Sequence, residues 1–361
     1  MTQHIPLVDV KAQYAPLIPE LEERFSSVLE SGRFIFGPEV EAFEREAAAF
    51  LGVPHAIGVA NGTDALVIVL EALEIGRDDE VICPAFTFYA TAEAIARAGA
   101  TPVFADIDPV TLNLDPEDVA ARITPRTKAI MAVHLFGRPA PLDELAALGL
   151  PVIEDAAQAF GAEGVANTGI CSTFSFFPTK NLFALGDGGL VTCLDEGVAE
   201  RVRMLRFHGS RDKTTFELVG TNSRLDAVQA AMLRVFLPRL AGWNAGRRDA
   251  AARYGELGLG EAVELPVDEP GHVYHMYVVR SSRRDEIAPS LAEAGIASAS
   301  YYVTPLHLQP ALAFLGYERG SFPETERMAA ENLALPMWGC IGPDVQERVV
   351  EAVRAAVGVP A

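Results

Sequence analysis

The sequence predicts an α/β protein, with a mostly parallel central sheet flanked by helices and a smaller C-terminal domain that mixes strands and helices. Three observations carry this. From His55 onward, short apolar runs alternate with segments of helical period, the pattern of strand–helix–strand units. Turn and capping residues such as Asn61-Gly62-Thr63-Asp64 separate the runs. The run Pro151–Glu154 is short and wholly apolar until its end, as expected of a strand covered on both faces. A chain of 361 residues is long enough for two domains. The expected division is residues 1–244, a large domain with a helical lead-in, and residues 245–361, a small one.

The lead-in, residues 7–31, contains an amphipathic helix with Leu17, Leu21, Phe25 and Leu29 at helical spacing. A loop over residues 32–38 follows, then a helix from Pro38 to Leu51 that Gly52 stops. Next come strand His55–Ala60, helix Ala65–Leu73, strand Glu80–Cys83, helix Thr87–Ala98 and strand Thr101–Asp106. Helix Pro116–Ile123, strand Lys128–Val133 and a short helix Leu142–Leu148 lead to strand Pro151–Glu154. Strands Phe174–Phe177 and Leu190–Cys193 complete the sheet. Helices Glu196–Arg206, Ser223–Phe236 and Arg239–Tyr254 connect to the second domain. There, strands are expected at Tyr274–Arg280 and Ala297–Tyr301, and helices at Arg284–Ala294, Pro323–Leu333 and Pro343–Val357.

Composition narrows the partners. A formal net charge of −20 repels nucleic acid and anionic membrane surfaces, so neither is expected as a partner. The opening Thr2-Gln3-His4-Ile5-Pro6 has no basic-then-apolar leader, and no apolar run reaches membrane-spanning length, so a cytoplasmic location is expected. Cys83, Cys171, Cys193 and Cys340 are scattered without metal-ligand spacing; they read as reduced, mostly buried thiols, and no metal site is expected. No Walker-type loop and no Gly-x-Gly-x-x-Gly occurs, which removes support for nucleotide hydrolysis and dinucleotide binding.

The chemistry collects at predicted strand ends, where open parallel sheets bind ligands. Only four lysines occur, Lys11, Lys128, Lys180 and Lys213, so Lys180, set among aromatic and small residues, is a chemical choice. Its amine can form a Schiff base, and its pKa falls readily on desolvation. Asn61-Gly62-Thr63 opens a helix with outward amides that suit a phosphate, although a plain helix cap looks the same. Asp155, at the end of an apolar strand, is costly unless paired and would suit a protonated ring nitrogen. Gln158 lies three residues on, within reach of a ring hydroxyl. Phe88 follows another strand end, where it could stack on a flat ligand or simply fill core. Ser175 precedes Lys180 by five residues, so the two can face one ligand. Arg224, with Asn222, sits at a helix start, where a cation opposes the dipole unless an anion compensates it.

Taken together, these motifs resemble fold-type I enzymes that use pyridoxal 5′-phosphate (PLP), and within them the DegT/StrS sugar aminotransferases. The likeness runs through Ile5-Pro6-Leu7-Val8-Asp9, Gly37-Pro38-Glu39-Val40, Ala60-Asn61-Gly62-Thr63-Asp64-Ala65-Leu66, Phe86-Thr87-Phe88 and Glu154-Asp155-Ala156-Ala157-Gln158. It continues through Ser175-Phe176-Phe177-Pro178-Thr179-Lys180, Gly186-Asp187-Gly188-Gly189, Asn222-Ser223-Arg224-Leu225 and Tyr302-Val303-Thr304-Pro305-Leu306-His307. The resemblance implies that Lys180 is the Schiff-base lysine, Asp155 the pyridinium partner, Gln158 the ring-hydroxyl contact and Phe88 the stacking residue. It makes Gly62, Thr63 and Ser175 phosphate ligands. Asn222 and Arg224 would reach the phosphate of a neighbouring subunit, which implies a homodimer with shared active sites. Tyr302 and His307 would lie near the sugar; Tyr301 departs from the histidine often found at its position.

The implied reaction moves an amino group, with L-glutamate as donor, to the C3 or C4 ketone of a nucleotide-linked sugar by a ping-pong Schiff-base mechanism. Two rivals stand beside it. Some relatives dehydrate deoxysugars and carry histidine at the lysine position, and the same scaffold could serve a non-catalytic ligand-binding or regulatory protein.

Overall fold

The computed structural model describes residues 4–360; Thr2 and Gln3 of the opening segment lie outside them. Helices α1 (Val10–Tyr14), α2 (Ile18–Ser31) and α3 (Pro38–Leu51) come first. Gly32 and Gly52, both at positive φ, cap the second and third. Strand β1 (His55–Val59), α4 (Gly62–Ala72), β2 (Glu80–Pro84), α5 (Ala90–Arg97), β3 (Thr101–Ala105), α6 (Pro116–Ala121), β4 (Thr127–Val133), α7 (Leu142–Ala146) and β5 (Val152–Asp155) then alternate. β6 (Cys171–Ser175), β7 (Gly189–Cys193), α8 (Glu196–Leu205), α9 (Ala227–Phe236) and the long α10 (Leu240–Glu256) follow.

The seven strands form one sheet in the order β1-β7-β6-β5-β4-β2-β3. β7 runs antiparallel to β1 and β6, and every other pairing is parallel. This puts the carboxyl ends of β1, β2, β4, β5 and β6 at one edge, together with the amino end of β7. Gly189 is in register with both Val59 and Ser175, and Asp155 with Val133 and Thr173. Strand alternation serves both faces: in β4, Ala129 and Met131 pack with α4 and α5, whereas Ile130 and Ala132 pack with α7. In β1 and β7, Ala56 and Leu190 face α3 and α9, and Ile57 and Val191 face α4. Leu66, Ile68, Val69 and Leu70 of α4 are all buried. At about 1.5–3 kcal/mol per fully buried aliphatic side chain, they clamp this helix and fix where its amino end points.

The C-terminal part packs a separate core around β8 (Tyr277–Arg280), α11 (Arg284–Glu293), β9 (Asn332–Leu335) and α13 (Pro343–Val357), while Met328 and Ala329 of α12 (Pro323–Glu331) pack with Phe86, Val133 and Leu135. The proposed 244/245 boundary falls inside the continuous α10. The lead-in also crosses it: Ile5 bridges Ile296 and belongs to this second core, and Met337 N–H donates to the Leu7 carbonyl at 2.9 Å. Among the described residues no helix is long and apolar enough to cross a membrane.

Several expected elements differ. Ala297–Tyr301 is not a strand: Ala299 makes an isolated bridge to Ala334, while the Tyr301 N–H goes to the Asn332 side chain at 2.6 Å and Ser300 Oγ to the Asn332 carbonyl. Helix Pro323–Leu333 ends at Glu331, because Asn332 turns its side chain back onto the Met328 carbonyl and opens β9. The strand expected at Phe174–Phe177 is Cys171–Ser175, and the helix expected from Ser223 starts at Ala227, since Ser223 Oγ instead accepts the Ala60 N–H at 3.0 Å.

Gly189 lies so close to the start of α4 that an added Cβ would run into the Asn61 carbonyl, which is backbone and cannot swing away. Gly189→Ala should therefore destabilise the fold by about 1–3 kcal/mol, read as a lower midpoint in chemical denaturation with unchanged m-value. An unaltered midpoint would contradict this packing.

Candidate active site

The site forms where the strands end. Asp155 closes β5 and is buried. Its Oδ2 accepts the Thr91 hydroxyl at 2.8 Å and its Oδ1 accepts the Ala157 N–H at 3.3 Å. Burial pushes its carboxyl above the ordinary range, against the pull of Thr91, Ala157 and the Lys180 charge. The adjacent Glu154 points to the opposite face. Burial raises it too, but hydrogen bonds from His134 and from the Ala166 and Gly169 amides outweigh that and hold it below the usual carboxylate range. It thereby anchors the loop after β5. The His134 N–H ties to the Asp155 carbonyl at 3.1 Å, so the ends of β4 and β5 move as one.

Lys180 arrives from the loop between β6 and β7. Phe176 N–H donates to Gly188 O and Ala184 N–H to Phe176 O, closing this loop on itself, and Lys180 N–H donates to Phe177 O at 2.8 Å. Asn181 is buried and pins the loop from below through Asn244, Val273 and His275. Burial lowers the Lys180 ammonium to about 8, with the Asp155 charge working the other way. The two groups thus feel each other across one cleft, and a near-neutral amine is what a nucleophile or proton carrier needs.

The third wall is aromatic. Phe88 leaves 56% of its surface exposed, so its ring is open to a ligand. Its centroid lies 6.0 Å from that of Tyr302, and Tyr302 also meets Phe86 edge-on at 6.1 Å. Gln158 ties this wall to β5: its Oε1 accepts the Phe136 N–H at 2.7 Å and its Nε2 donates to the Tyr302 hydroxyl at 3.2 Å.

At the fourth wall, α4 begins. Asn61 Oδ1 caps Asp64 N–H at 2.8 Å, which leaves the Gly62 and Thr63 amides and the Thr63 hydroxyl uncommitted at the positive end of the helix dipole. A Cβ on Gly62 would meet the Ser175 Cβ at 2.8 Å, so glycine is what lets the β6 end approach this cradle. Ser175 Oγ accepts the Phe177 N–H at 3.3 Å and keeps its own proton free to donate. Uncommitted amides at the start of α4, an exposed aromatic ring, a buried carboxylate and a lysine amine within reach of its charge, all at the carboxyl edge of the sheet, fit PLP as a donor set.

Asn222 and Arg224 lie in a recess that Asn61 itself borders. They line this polar recess with Ala60, Asn61, Asp187, Asp226 and Gln229, and among the described residues neither side chain makes a hydrogen bond or ion pair. His307, expected beside the sugar, has a side chain that is buried in this chain, bonded to Glu326 at 3.0 Å and edge-on to Phe322 at 4.8 Å. Sequence reasoning missed Thr91, Thr87, Glu154, His134 and Asn181. Only the spacing of Thr87 and Thr91, one helical turn around Phe88, was there to be read.

The fold and this site together define a PLP-dependent aminotransferase of fold type I. The chain belongs to the DegT/DnrJ/EryC1/StrS aminotransferase family, whose model matches residues 17–354. It is 47% identical, over 97% of this chain and 98% of the relative, to a Geobacillus stearothermophilus protein named "Pleiotropic regulatory protein". It is 43% identical over 99% and 98% to the UDP-N-acetyl-3-dehydro-α-D-glucosamine 3-aminotransferase of Acidithiobacillus ferrooxidans. It is 44% identical over 98% and 96% to the dTDP-3-amino-3,4,6-trideoxy-α-D-glucose transaminase of Streptomyces venezuelae. Among solved structures it resembles S. venezuelae DesV, captured with a ketimine intermediate, at a TM-score of 0.96 and 42% identity over the whole of both chains.

Two outcomes test the lysine. Cofactor capture by PLP-free protein, followed by absorbance, should rise with pH through a midpoint near 8 and then level off, because the amine reacts only when deprotonated; a midpoint near the ~10.4 of free lysine would show that the amine is not desolvated. After borohydride reduction, mass spectrometry should find the cofactor on the peptide holding Lys180, and Lys180→Ala protein should carry no adduct.

Proposed function

We propose that this aminotransferase takes an amino group from L-glutamate and delivers it to the C3 ketone of a nucleotide-linked sugar, acting as a homodimer with shared active sites. The observation that carries the reading is the pairing of Lys180 and Asp155 across the cleft, with Phe88 and the start of α4 on its other walls. PLP supplies, when bound, an electron sink that makes an amino-acid α-proton removable. Asp155 would pair with the ring nitrogen, Phe88 would offer a face to the ring, and Gln158 would reach the ring hydroxyl. Gly62, Thr63 and Ser175 receive the phosphate. Lys180 Nζ would hold the cofactor and, as a near-neutral amine, could take and return the α-proton. Tyr302, joined to Gln158, borders the space left for the sugar. C3 is preferred over C4 because two of the named transaminases of different nucleotides both carry their amine at C3. Lysine rather than histidine at position 180 favours amino transfer over dehydration. A purely regulatory role, as one relative's name would suggest, gives no reason for a desolvated lysine facing a buried carboxylate.

The dimer reading rests on what one chain leaves bare. Phe34 and Ile35 are exposed, and their backbone pairs with Asp226 and Ala227 beside the Asn222–Arg224 recess. Leu185, also exposed, donates its N–H to Gln229 of the same recess. On α2, Ile18, Phe25 and Leu29 are exposed as well. An apolar surface that borders an unpaired arginine fits a second copy whose bound phosphate the arginine would meet.

Purified protein should be yellow, bleach with glutamate and regain its colour with a UDP- or dTDP-linked 3-keto-sugar, with parallel lines in double-reciprocal plots. A colourless protein indifferent to PLP would overturn the proposal. Sharing is tested by subunit mixing. Lys180→Ala and Arg224→Ala proteins should each be nearly inactive, whereas refolded mixtures should recover about one quarter of wild-type activity, because each mixed dimer rebuilds one intact site. No recovery would place both residues in the same subunit's site.

A further inference from the structure

Asp155 is held by a side chain that neither the motifs nor the family resemblance assigned. Thr91 is completely buried at the start of α5, and its hydroxyl donates to Asp155 Oδ2 at 2.8 Å. A hydroxyl has a single proton, so with that proton committed, the 3.4 Å contact to Thr87 has Thr87 donating and Thr91 accepting. The chain Thr87→Thr91→Asp155 therefore delivers its donors in one direction, toward the carboxylate. The other oxygen, Oδ1, has only the long 3.3 Å bond from the Ala157 amide and is the one left able to take a strong partner. Phe88 lies between Thr87 and Thr91 in sequence, so the same turn that orients Asp155 also sets the exposed ring.

We infer that Thr91, backed by Thr87, is a positioning residue that selects which oxygen of Asp155 meets the cofactor's ring nitrogen and keeps that carboxylate charged. This rests on the reading of Asp155 as the ring-nitrogen partner. Burial alone works against a charged Asp155, and the Thr91 hydroxyl is the largest of the contributions opposing it. A hydrogen bond to an ionised acceptor is roughly twice as strong as a neutral one, so its loss is felt by whatever depends on the charge.

The test measures equilibrium binding, to the full-length protein, of PLP and of its 1-deaza analogue, which has a carbon in place of the ring nitrogen. Wild type should prefer PLP. Thr91→Val, which keeps the shape and removes the donor, should weaken PLP roughly tenfold or more and the analogue far less. Thr91→Ser should restore the preference, and Thr87→Val should produce a smaller loss in the same direction. In 15N-labelled PLP bound to Thr91→Val, the ring-nitrogen resonance should move toward the unprotonated position. Equal weakening of both ligands, or no weakening, would make Thr91 a packing residue and overturn the inference. A wild type without preference for PLP would instead sink the Asp155 assignment beneath it, and the inference with it.

Discussion

Everything in this molecule turns on taking two ionisable groups out of water on facing sides of one cleft. Burial raises Asp155 and lowers Lys180, so each charge alone is disfavoured, and each partly offsets the other. Such a pair is poor evidence of stability, since desolvation commonly consumes the Coulombic gain. Its value is chemical: an amine near neutrality and a carboxylate that wants a cationic partner. The fold holds that tension because both groups hang from rigid elements. Asp155 closes a strand that is buried on both faces, and Lys180 sits on a loop pinned by the buried Asn181.

The antiparallel β7 is what makes the cleft compact. Were it parallel to its neighbours, its carboxyl end and a crossover would crowd the edge where β1 and β6 terminate. Instead its amino end arrives there as Gly188-Gly189, and the backbone closes against Asn61 and Leu225 with no side chain between. The same glycines close the Lys180 loop, since Phe176 N–H donates to Gly188 O. The start of α4 and the Lys180 loop thus share one support, which couples their placement.

The α/β alternation was legible because strands buried on both faces read as uninterrupted apolar runs, and Gly52 marks a helix end by known stereochemistry. The second domain was less so. Asn332-Leu333-Ala334-Leu335 has helix-forming leucine and alanine and continues the apolar pattern of α12; only the tertiary pairing with β8 makes it a strand. Ala297–Tyr301 looked like a strand because serine and tyrosine suit one, yet a side-chain amide took the backbone donor a strand would have used. In the lead-in, the helical spacing of Phe25 and Leu29 is real, but it faces outward, and the side buried here is carried by Leu21 and Val28. A hydrophobic pattern reports that a face is apolar without saying which molecule covers it.

The site divides in the same way. Residues with a distinctive chemical type at a strand end, Lys180 and Asp155, stand out from a single sequence because their placement is costly without a reason. Residues that work through them do not. A threonine in a helix start is ordinary, and Glu154 beside Asp155 reads as another acid until His134 and two amides are seen to consume it. The surroundings of His307 were equally hidden: nothing in the residues beside it announces that Glu326 bonds its ring and Phe322 meets it edge-on. Tyr302, in the same segment, is tied instead to the end of β5, since the Gln158 amide donates to its hydroxyl.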